Sequence, residues 1–137
     1  MAQRAQKVQR DMIYEKQQHI STKPYHSLLA WKEAHALVRL IYSYSNTFPK
    51  HELYGLTSQL RRAAVSVPTN IVEGYARKSI GELKYFLNIA KASMAECEYL
   101  TELAHELTYL TDTNYLQLED QRARASYLLN HFIKSKQ

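Results

Sequence analysis

The stretch Leu56–Ser79, "LTSQLRRAAVSVPTNIVEGYARKS", decides the fold of this 137-residue chain. At 100° per residue, its apolar residues and one leucine that precedes it fall on one side of a helix. This core stripe contains Leu53, Leu56, Leu60, Ala63, Ala64, Val67, Ile71 and Gly74. Pro68 interrupts the helix, because it removes the backbone hydrogen bond to the carbonyl group of Ala64 and crowds that group. The stretch therefore predicts one long amphipathic helix that bends at residues 64–68.

A second row of residues on the same helix, called the polar stripe below, is almost wholly hydrophilic: Gln59, Arg62, Ser66, Asn70, Glu73 and Arg77. It lies about a quarter-turn from the core stripe, at the edge of the core, where another chain or a ligand can pack. Arg61 is 100° from Arg62 and is expected to point farther toward solvent. Glu73 and Arg77 are four residues apart and can form an ion pair, which would weaken Arg77 as a binder of anions.

Three further helices are predicted around this one. Pro49 in "FPKHE" ends the first helix, and Ser79 with Glu82 three residues later is typical of the start of the third. The four predicted helices cover residues 27–47, 52–77, 79–110 and, from about 111–113, to 134. Short connections force neighbouring helices to run antiparallel. The sequence therefore predicts an all-α domain over residues 27–137, an antiparallel up-down-up-down four-helix bundle.

Residues 1–26 form a different kind of segment. They are rich in Gln, Lys and Arg and poor in aliphatic residues, so they lack the apolar area that would offset the entropy of ordering. We interpret them as a basic, flexible N-terminal arm that can form a short helix when docked.

The net charge of +5 is spread unevenly. Residues 1–26 and 48–79 each sum to +3, whereas residues 80–110 sum to −3. This distribution favours an anionic partner on one face and a contact between copies of the chain on another. The third helix carries an acidic row of Glu98, Glu102 and Glu106, which is either a solvated face or a surface that meets basic residues of another subunit. Arg122 and Arg124 are expected to point away from the core.

Several function classes find no support. The apolar runs are too short to span a bilayer and the N-terminus lacks a signal-peptide core, which predicts a soluble, cytoplasmic protein without membrane contact. The single cysteine, Cys97, lies among apolar residues and is interpreted as a core residue. The six histidines show no metal-ligand spacing, and the chain has neither a phosphate-cradling glycine loop nor a nucleophile elbow. We therefore expect no metal, no cofactor and no enzymatic activity.

Four segments carry a resemblance to a known family: "WKEAHALV" (31–38), "FPKHELYGLTSQLRRAAVSVPTNIVEGYAR" (48–77), "ELKYFLNIAKASMAECEYL" (82–100) and "LTYL" (107–110). With them the chain resembles the four helix bundle protein family over about residues 28–133. That family includes proteins encoded in intervening sequences of bacterial large-subunit ribosomal RNA genes. The accessory variability determinants of diversity-generating retroelements are related to it. The chain departs from the family pattern in its longer basic arm and in Val67 and Val72, where isoleucine and alanine are common.

The resemblance implies a homopentamer in which five bundles form a ring around a central channel. In the retroelement members, a basic surface binds nucleic acid and associates with a reverse transcriptase. In such a ring, the polar stripe could meet the acidic row of a neighbouring subunit. The predicted interface residues are Gln59, Arg62, Ser66, Asn70, Glu73, Glu98, Glu102 and Glu106.

Two hypotheses about function follow. The first is a non-catalytic oligomer that binds RNA or DNA through phosphate contacts, for which the candidates are Arg61, Arg62, Arg77, Lys78, Arg39, Lys50, Arg4, Lys7 and Arg10. The second is an intervening-sequence protein that acts as a scaffold for a protein partner, for example a reverse transcriptase, without strong nucleic-acid binding.

Overall fold

The computed structural model describes the backbone of residues 1–21 and 23–137 and the side chains of residues 1–13 and 23–137. This part of the chain forms five α-helices and no strand: α1 Ala2–Ser21, α2 Leu29–Ser45, α3 Leu56–Tyr75, α4 Ile80–Glu106 and α5 Asp112–Lys134. Short 3₁₀ helices at Pro24–Ser27 and Lys50–Glu52 precede α2 and α3. The prediction of an all-α fold is confirmed. Residue 22 and the side chains of residues 14–21, which belong to the predicted arm, lie outside the described residues.

Helices α2–α5 pack on one another in a closed cycle. Helix α2 contacts α3 and α5, helix α4 contacts α3 and α5, and the contact between α3 and α4 is the most extensive. The common core lies between these four helices, and its large side chains with less than 2% exposure are Leu37, Ile41, Leu60, Val67, Ile71, Leu87, Cys97, Leu118 and Leu129. The interpretation of Cys97 as a core residue is confirmed.

The helix ends follow local chemistry. The side chain of Ser79 accepts a hydrogen bond from the backbone N–H of Glu82 at 3.2 Å, which confirms the predicted cap of α4. Helix α4 ends four residues earlier than predicted, because Thr108 adopts a left-handed conformation with φ 66°. The N–H groups of Thr108 and Tyr109 then bond to the carbonyl groups of His105 and Ala104, a Schellman arrangement that terminates the helix.

Helix α3 is continuous through Pro68, which is buried. The hydroxyl group of Thr69 donates a hydrogen bond to the carbonyl oxygen of Val65 at 2.7 Å, and the amide of Asn70 donates one to the carbonyl oxygen of Ser66 at 2.7 Å. Pro68 has no N–H group and cannot make the backbone hydrogen bond to the carbonyl oxygen of Ala64. The two side-chain bonds engage the next two carbonyl groups along the helix, those of Val65 and Ser66. The bend expected at residues 64–68 stays a prediction.

The core stripe of α3 is buried as predicted, with one error. Leu53 lies in the connection before α3 rather than on the helix, and it is 48% exposed. Gly74 is buried where α3 approaches α4 closely. A methyl group at this glycine would lie 3.0 Å from Cβ of Phe86 and 3.2 Å from the carbonyl oxygen of Leu83. The absence of a side chain at Gly74 thus sets the spacing of these two helices.

Helix α1 is longer than the short helix expected for the arm, and each of its described side chains, residues 2–13, is exposed. Tyr25 and His26, which the sequence assigned to the arm, instead contact Trp31 of α2. Within the described part of the chain, no helix combines the length and apolar character needed to cross a membrane.

Candidate nucleic-acid interface

Eight of the nine predicted phosphate-binding residues are exposed. Arg4, Lys7 and Arg10 lie on α1. Arg39 lies on α2, Lys50 in the 3₁₀ helix before α3, and Arg62 on α3. Arg77 and Lys78 lie in the connection between α3 and α4. The three residues of α1 are therefore on a separate element from the five on the packed helices. The five include both ends of α3, because Lys50 precedes it and Lys78 follows it.

The ion pairs of the described residues all lie on α4 and α5. Arg122 contacts Glu119 at 2.8 Å and Glu98 at 3.4 Å, Arg124 contacts Asp120 at 3.1 Å, and His105 contacts Asp112 at 2.7 Å. Among the described side chains, no carboxylate comes within ion-pair distance of the five exposed cations around α2 and α3. The five cations thus have no ion-pair partner among the described side chains, although the carboxylates of Glu33, Glu52 and Glu73 lie on the same elements.

Arg61, the ninth candidate, does not point to solvent, and that expectation is wrong. Its Nε donates a hydrogen bond to Oγ of Ser45 at 2.9 Å, and Nη2 donates one to Oδ1 of Asn46 at 3.1 Å. Its guanidinium carbon lies 4.7 Å from the ring centroid of Tyr42. The physical reason is that Arg61 lies on the side of α3 that packs against α2, so the guanidinium group satisfies polar groups at the C-terminal end of α2.

The ion pair that the spacing of Glu73 and Arg77 allows does not form. Helix α3 ends at Tyr75, so Arg77 does not lie one helical turn beyond Glu73. The guanidinium carbon of Arg77 instead lies 4.8 Å from the ring centroid of Phe86 on α4, in a cation–π contact. Arg77 keeps its charge uncompensated as a result.

Ser66 and Asn70, in the middle of the polar stripe, make hydrogen bonds within this chain. The hydroxyl groups of Ser66 on α3 and Ser93 on α4 are 2.8 Å apart and share a hydrogen bond. The amide of Asn70 donates to the carbonyl oxygen of Ser66 at 2.7 Å and to its hydroxyl oxygen at 3.0 Å. The close packing of α3 on α4 explains this use. Gln59, Arg62 and Glu73 of the predicted interface remain exposed on α3.

The acidic row is likewise divided. All three carboxylates are exposed, and Glu98 is in addition paired with Arg122. Arg122 does not point away from the packed helices as expected, because its side chain is only 14% exposed. The hydrogen bond with Glu119 is the main cause that raises the pKa of Arg122. Arg124 is more than half exposed, in agreement with its expected direction.

One surface feature escaped the sequence analysis. A groove of about 440 Å³ runs between the 3₁₀ helix Pro24–Ser27, α2 and α3, and is lined by Tyr25, Trp31, His35, Val38, Val65, Pro68, Thr69, Val72 and Glu73. One feature of the sequence could have indicated this groove. Val65, Pro68 and Val72 follow helical spacing and form a second apolar ridge on α3 beside the core stripe.

Aromatic side chains form one wall of this groove. The ring of Trp31 is stacked between His26, with centroids 4.8 Å apart, and His35, at 4.9 Å. Tyr25 meets the edge of Trp31 at 5.0 Å. Partial burial, and then the nearby charge of Arg39, lower the pKa of His35. The neutral histidine favoured by this environment suits an apolar groove wall.

The described part of the chain is an all-α protein with five exposed, unpaired cations on and around α2 and α3. A family model described as 23S rRNA-intervening sequence protein matches residues 26–131, and the chain belongs to this family. The resemblance predicted from the sequence is thus confirmed.

Among solved structures, the chain is similar to a protein of unknown function from the S23 ribosomal protein family of Bacteroides thetaiotaomicron. The TM-score is 0.70 and the identity 24%, and the match covers 77% of this chain and 96% of the other. At this identity the likeness shows the fold alone. No curated protein matches the chain.

Proposed function

We propose that this chain is a non-catalytic, homo-oligomeric protein that binds RNA or DNA through its phosphate groups. The observation that carries this proposal is the set of exposed cations around α2 and α3, for which no described carboxylate is a partner. A cation without a carboxylate partner attracts the phosphate backbone at full strength. Its contact with a phosphate releases condensed counterions from the nucleic acid.

The chemistry of these cations suits phosphate more than bases. Arg39, Arg62 and Arg77 offer guanidinium forks that match phosphate oxygens, and Lys50 and Lys78 offer point charges. Contacts of this kind hold the backbone and carry no sequence information. Binding is therefore expected to tolerate any sequence and to depend strongly on salt.

Oligomerisation strengthens such a surface. In the proposed assembly the four packed helices are an up-down-up-down bundle and five copies form a ring, so that each cation is repeated five times. The exposed amide of Gln59 is available to donate hydrogen bonds to a neighbour's Glu102 or Glu106.

A non-catalytic role is supported by the only cysteine. Cys97 has no exposed surface, and burial raises the pKa of its thiol to about 12. It therefore stays protonated and inaccessible, which is the opposite of what a nucleophile requires.

The test is fluorescence anisotropy with a mixed-sequence single-stranded RNA and a duplex DNA. If the five cations each contact one phosphate, the slope of log K against log salt concentration is about −3.5 for single strands and −4.5 for duplex. Between about 50 and 200 mM salt the affinity should then fall by roughly 100-fold to 500-fold. An affinity that salt does not change would overturn the proposal.

A pair of charge-matched variants locates the surface. The double variant Arg39→Gln/Lys78→Gln should flatten the slope by about 1.4 to 1.8, because two phosphate contacts are lost. The control Arg124→Gln/Lys134→Gln removes the same charge from α5 and should leave the slope unchanged. Equal effects of the two would show that net charge alone drives binding and that the surface around α2 and α3 is not the site.

The groove favours a second candidate function, a scaffold for a protein partner such as the reverse transcriptase of a diversity-generating retroelement. Its walls combine Trp31 with exposed Val65, which is 38% accessible, and aromatic and aliphatic walls suit protein partners. Capture of a purified reverse transcriptase should survive nuclease treatment and be lost in Val65→Glu. If nuclease releases the partner, nucleic acid links the two proteins and the groove is not the docking site.

A further inference from the structure

Helix α1 carries an apolar stripe that the described part of the chain leaves uncovered. The stripe contains Ala5, Val8 and Met12 of α1 and Met1, which directly precedes the helix, and its large members are more than half exposed, Val8 and Met12 each at 53%. The spacing of four, three and four residues is that of the a and d positions of a coiled coil. These positions call for a partner helix.

The width of the stripe indicates what kind of partner fits. At 100° per residue, its four residues span only about 60° of the helix circumference. A helix that lies on a membrane presents an apolar face of about 100° or more, whereas a coiled-coil seam is narrow. Arg4 and Gln9 flank the stripe on its two sides, and Ile13, which is 50% exposed, lies beyond Gln9 about 80° from Ala5 and outside the seam.

The charges beside the stripe identify the partner as a second copy of α1. Arg4 and Asp11 lie on the same edge, seven residues apart and of opposite sign. In an antiparallel pair Met1 faces Met12 and Ala5 faces Val8, and each Arg4 then lies beside the Asp11 of the other helix. A parallel pair would place Arg4 beside Gln9 and lose both ion pairs.

We propose that α1 pairs in antiparallel fashion with α1 of a second copy through this stripe and these two ion pairs. Two contacting stripes of this length form four layers, which is marginal for isolated helices. Pairing therefore joins chains most strongly where other contacts raise the local concentration of α1. The inference depends only on the residues of α1. The result of its test therefore does not depend on whether helices α2–α5 bind nucleic acid.

The register is tested by disulfide cross-linking of the full chain. Proteins carrying Ala5→Cys and Val8→Cys are mixed and oxidised, and peptide mass spectrometry identifies the linked pairs. The native Cys97 does not compete, because it is fully buried. We expect links between the two different variants to exceed links between identical ones severalfold. A predominance of links between identical variants, or no links, would overturn the antiparallel pair.

Charge reversal tests the ion pairs. Arg4→Glu should lower the cross-linking yield about threefold to tenfold, since it turns two attractive contacts into repulsive ones. Arg4→Glu/Asp11→Arg should restore the yield, which neither unfolding of α1 nor loss of net charge can explain. Arg10→Glu, on the other side of the helix, is the matched control and should have no effect.

The same variants separate other partners of the stripe. If the protein binds phosphatidylserine vesicles, Val8→Asp abolishes this binding and no cross-links form in solution, the stripe contacts a membrane surface and the proposal is overturned. A second outcome would also overturn the proposal. If Arg4→Glu and Arg10→Glu weaken RNA binding equally and neither changes the cross-linking yield, the charges of α1 bind nucleic acid and not a second copy of α1.

Discussion

Replacing Gly74 by alanine tests the idea that this residue sets the distance between α3 and α4. The added methyl group would lie 3.0 Å from Cβ of Phe86, 3.2 Å from Cδ1 of Leu83 and 3.2 Å from the carbonyl oxygen of Leu83. The leucine side chain can rotate, but the carbonyl oxygen and the Cβ atom are fixed to the backbone of α4. The two helices must therefore separate by a few tenths of an ångström.

The expected magnitude is a balance of two effects. Overpacking a buried site costs about 1–3 kcal/mol. Replacing a helical glycine by alanine contributes up to about 1 kcal/mol in the opposite direction, and less here because Gly74 is one residue from the end of α3. We expect a net loss of about 1 to 2 kcal/mol in the free energy of unfolding, with a Tm lower by roughly 3–8 °C.

The assay is urea denaturation followed by circular dichroism at one fixed protein concentration, since an oligomer's stability depends on concentration. Gly81→Ala is the matched control. It lies in the first turn of α4, and nothing stands within 4 Å of its added methyl group, so it should gain up to about 1 kcal/mol. The reasoning is refuted if Gly74→Ala proves as stable as Gly81→Ala.

Three further predictions concern single side chains. Thr108→Gly should stabilise the protein by about 1 kcal/mol in the same assay, because a β-branched residue is strained at φ 66°; a loss of stability would show that the threonine side chain outweighs that strain. Thr57→Val should be neutral or stabilising by up to about 1 kcal/mol, because the hydroxyl oxygen of Thr57 is buried without a hydrogen-bond partner among the described residues. A loss above about 1 kcal/mol would reveal a partner for that hydroxyl group. Cys97 should make stability pH-dependent in alkali: burial raises its folded pKa to about 12 from the ordinary thiol value of 9.0, so its contribution is complete below about pH 9 and is lost as the pH rises toward 12. Denaturation curves of Cys97→Ala should lack this decrease, and an identical decrease in the variant would exclude the thiol as its cause.

The pattern of apolar residues was enough to predict most of the fold. The core stripe of α3 is buried from Leu56 to Gly74 because a period of 3.6 residues places these side chains on one face whatever the surroundings. The cap at Ser79 was equally readable, since it depends on a hydroxyl group and a backbone N–H only three residues apart. The left-handed conformation of Thr108 could not be predicted from the sequence, because such backbone conformations are typical of glycine or asparagine.

The candidate site was predicted less completely. Arg62 and Lys78 are exposed as the sequence indicated, because residues outside the apolar face of a helix or in a connection usually meet solvent. The directions of Arg61 and Arg122 were wrong, because long side chains reach toward partners on other helices. The groove beside Trp31 was missed for a related reason, since its two walls come from segments about thirty residues apart.

By itself the sequence determined that this chain is helical, which faces of its helices are apolar, and where its positive and negative charges concentrate. These properties depend on residue type and on spacing within a single helix. The tertiary structure alone decided which charges are paired between helices, as Arg122 is with Glu98, and which hydroxyl groups of the polar stripe are used between α3 and α4. Those outcomes depend on the distance between side chains of different helices, which is set by how closely the helices pack and not by the order of residues within any one of them.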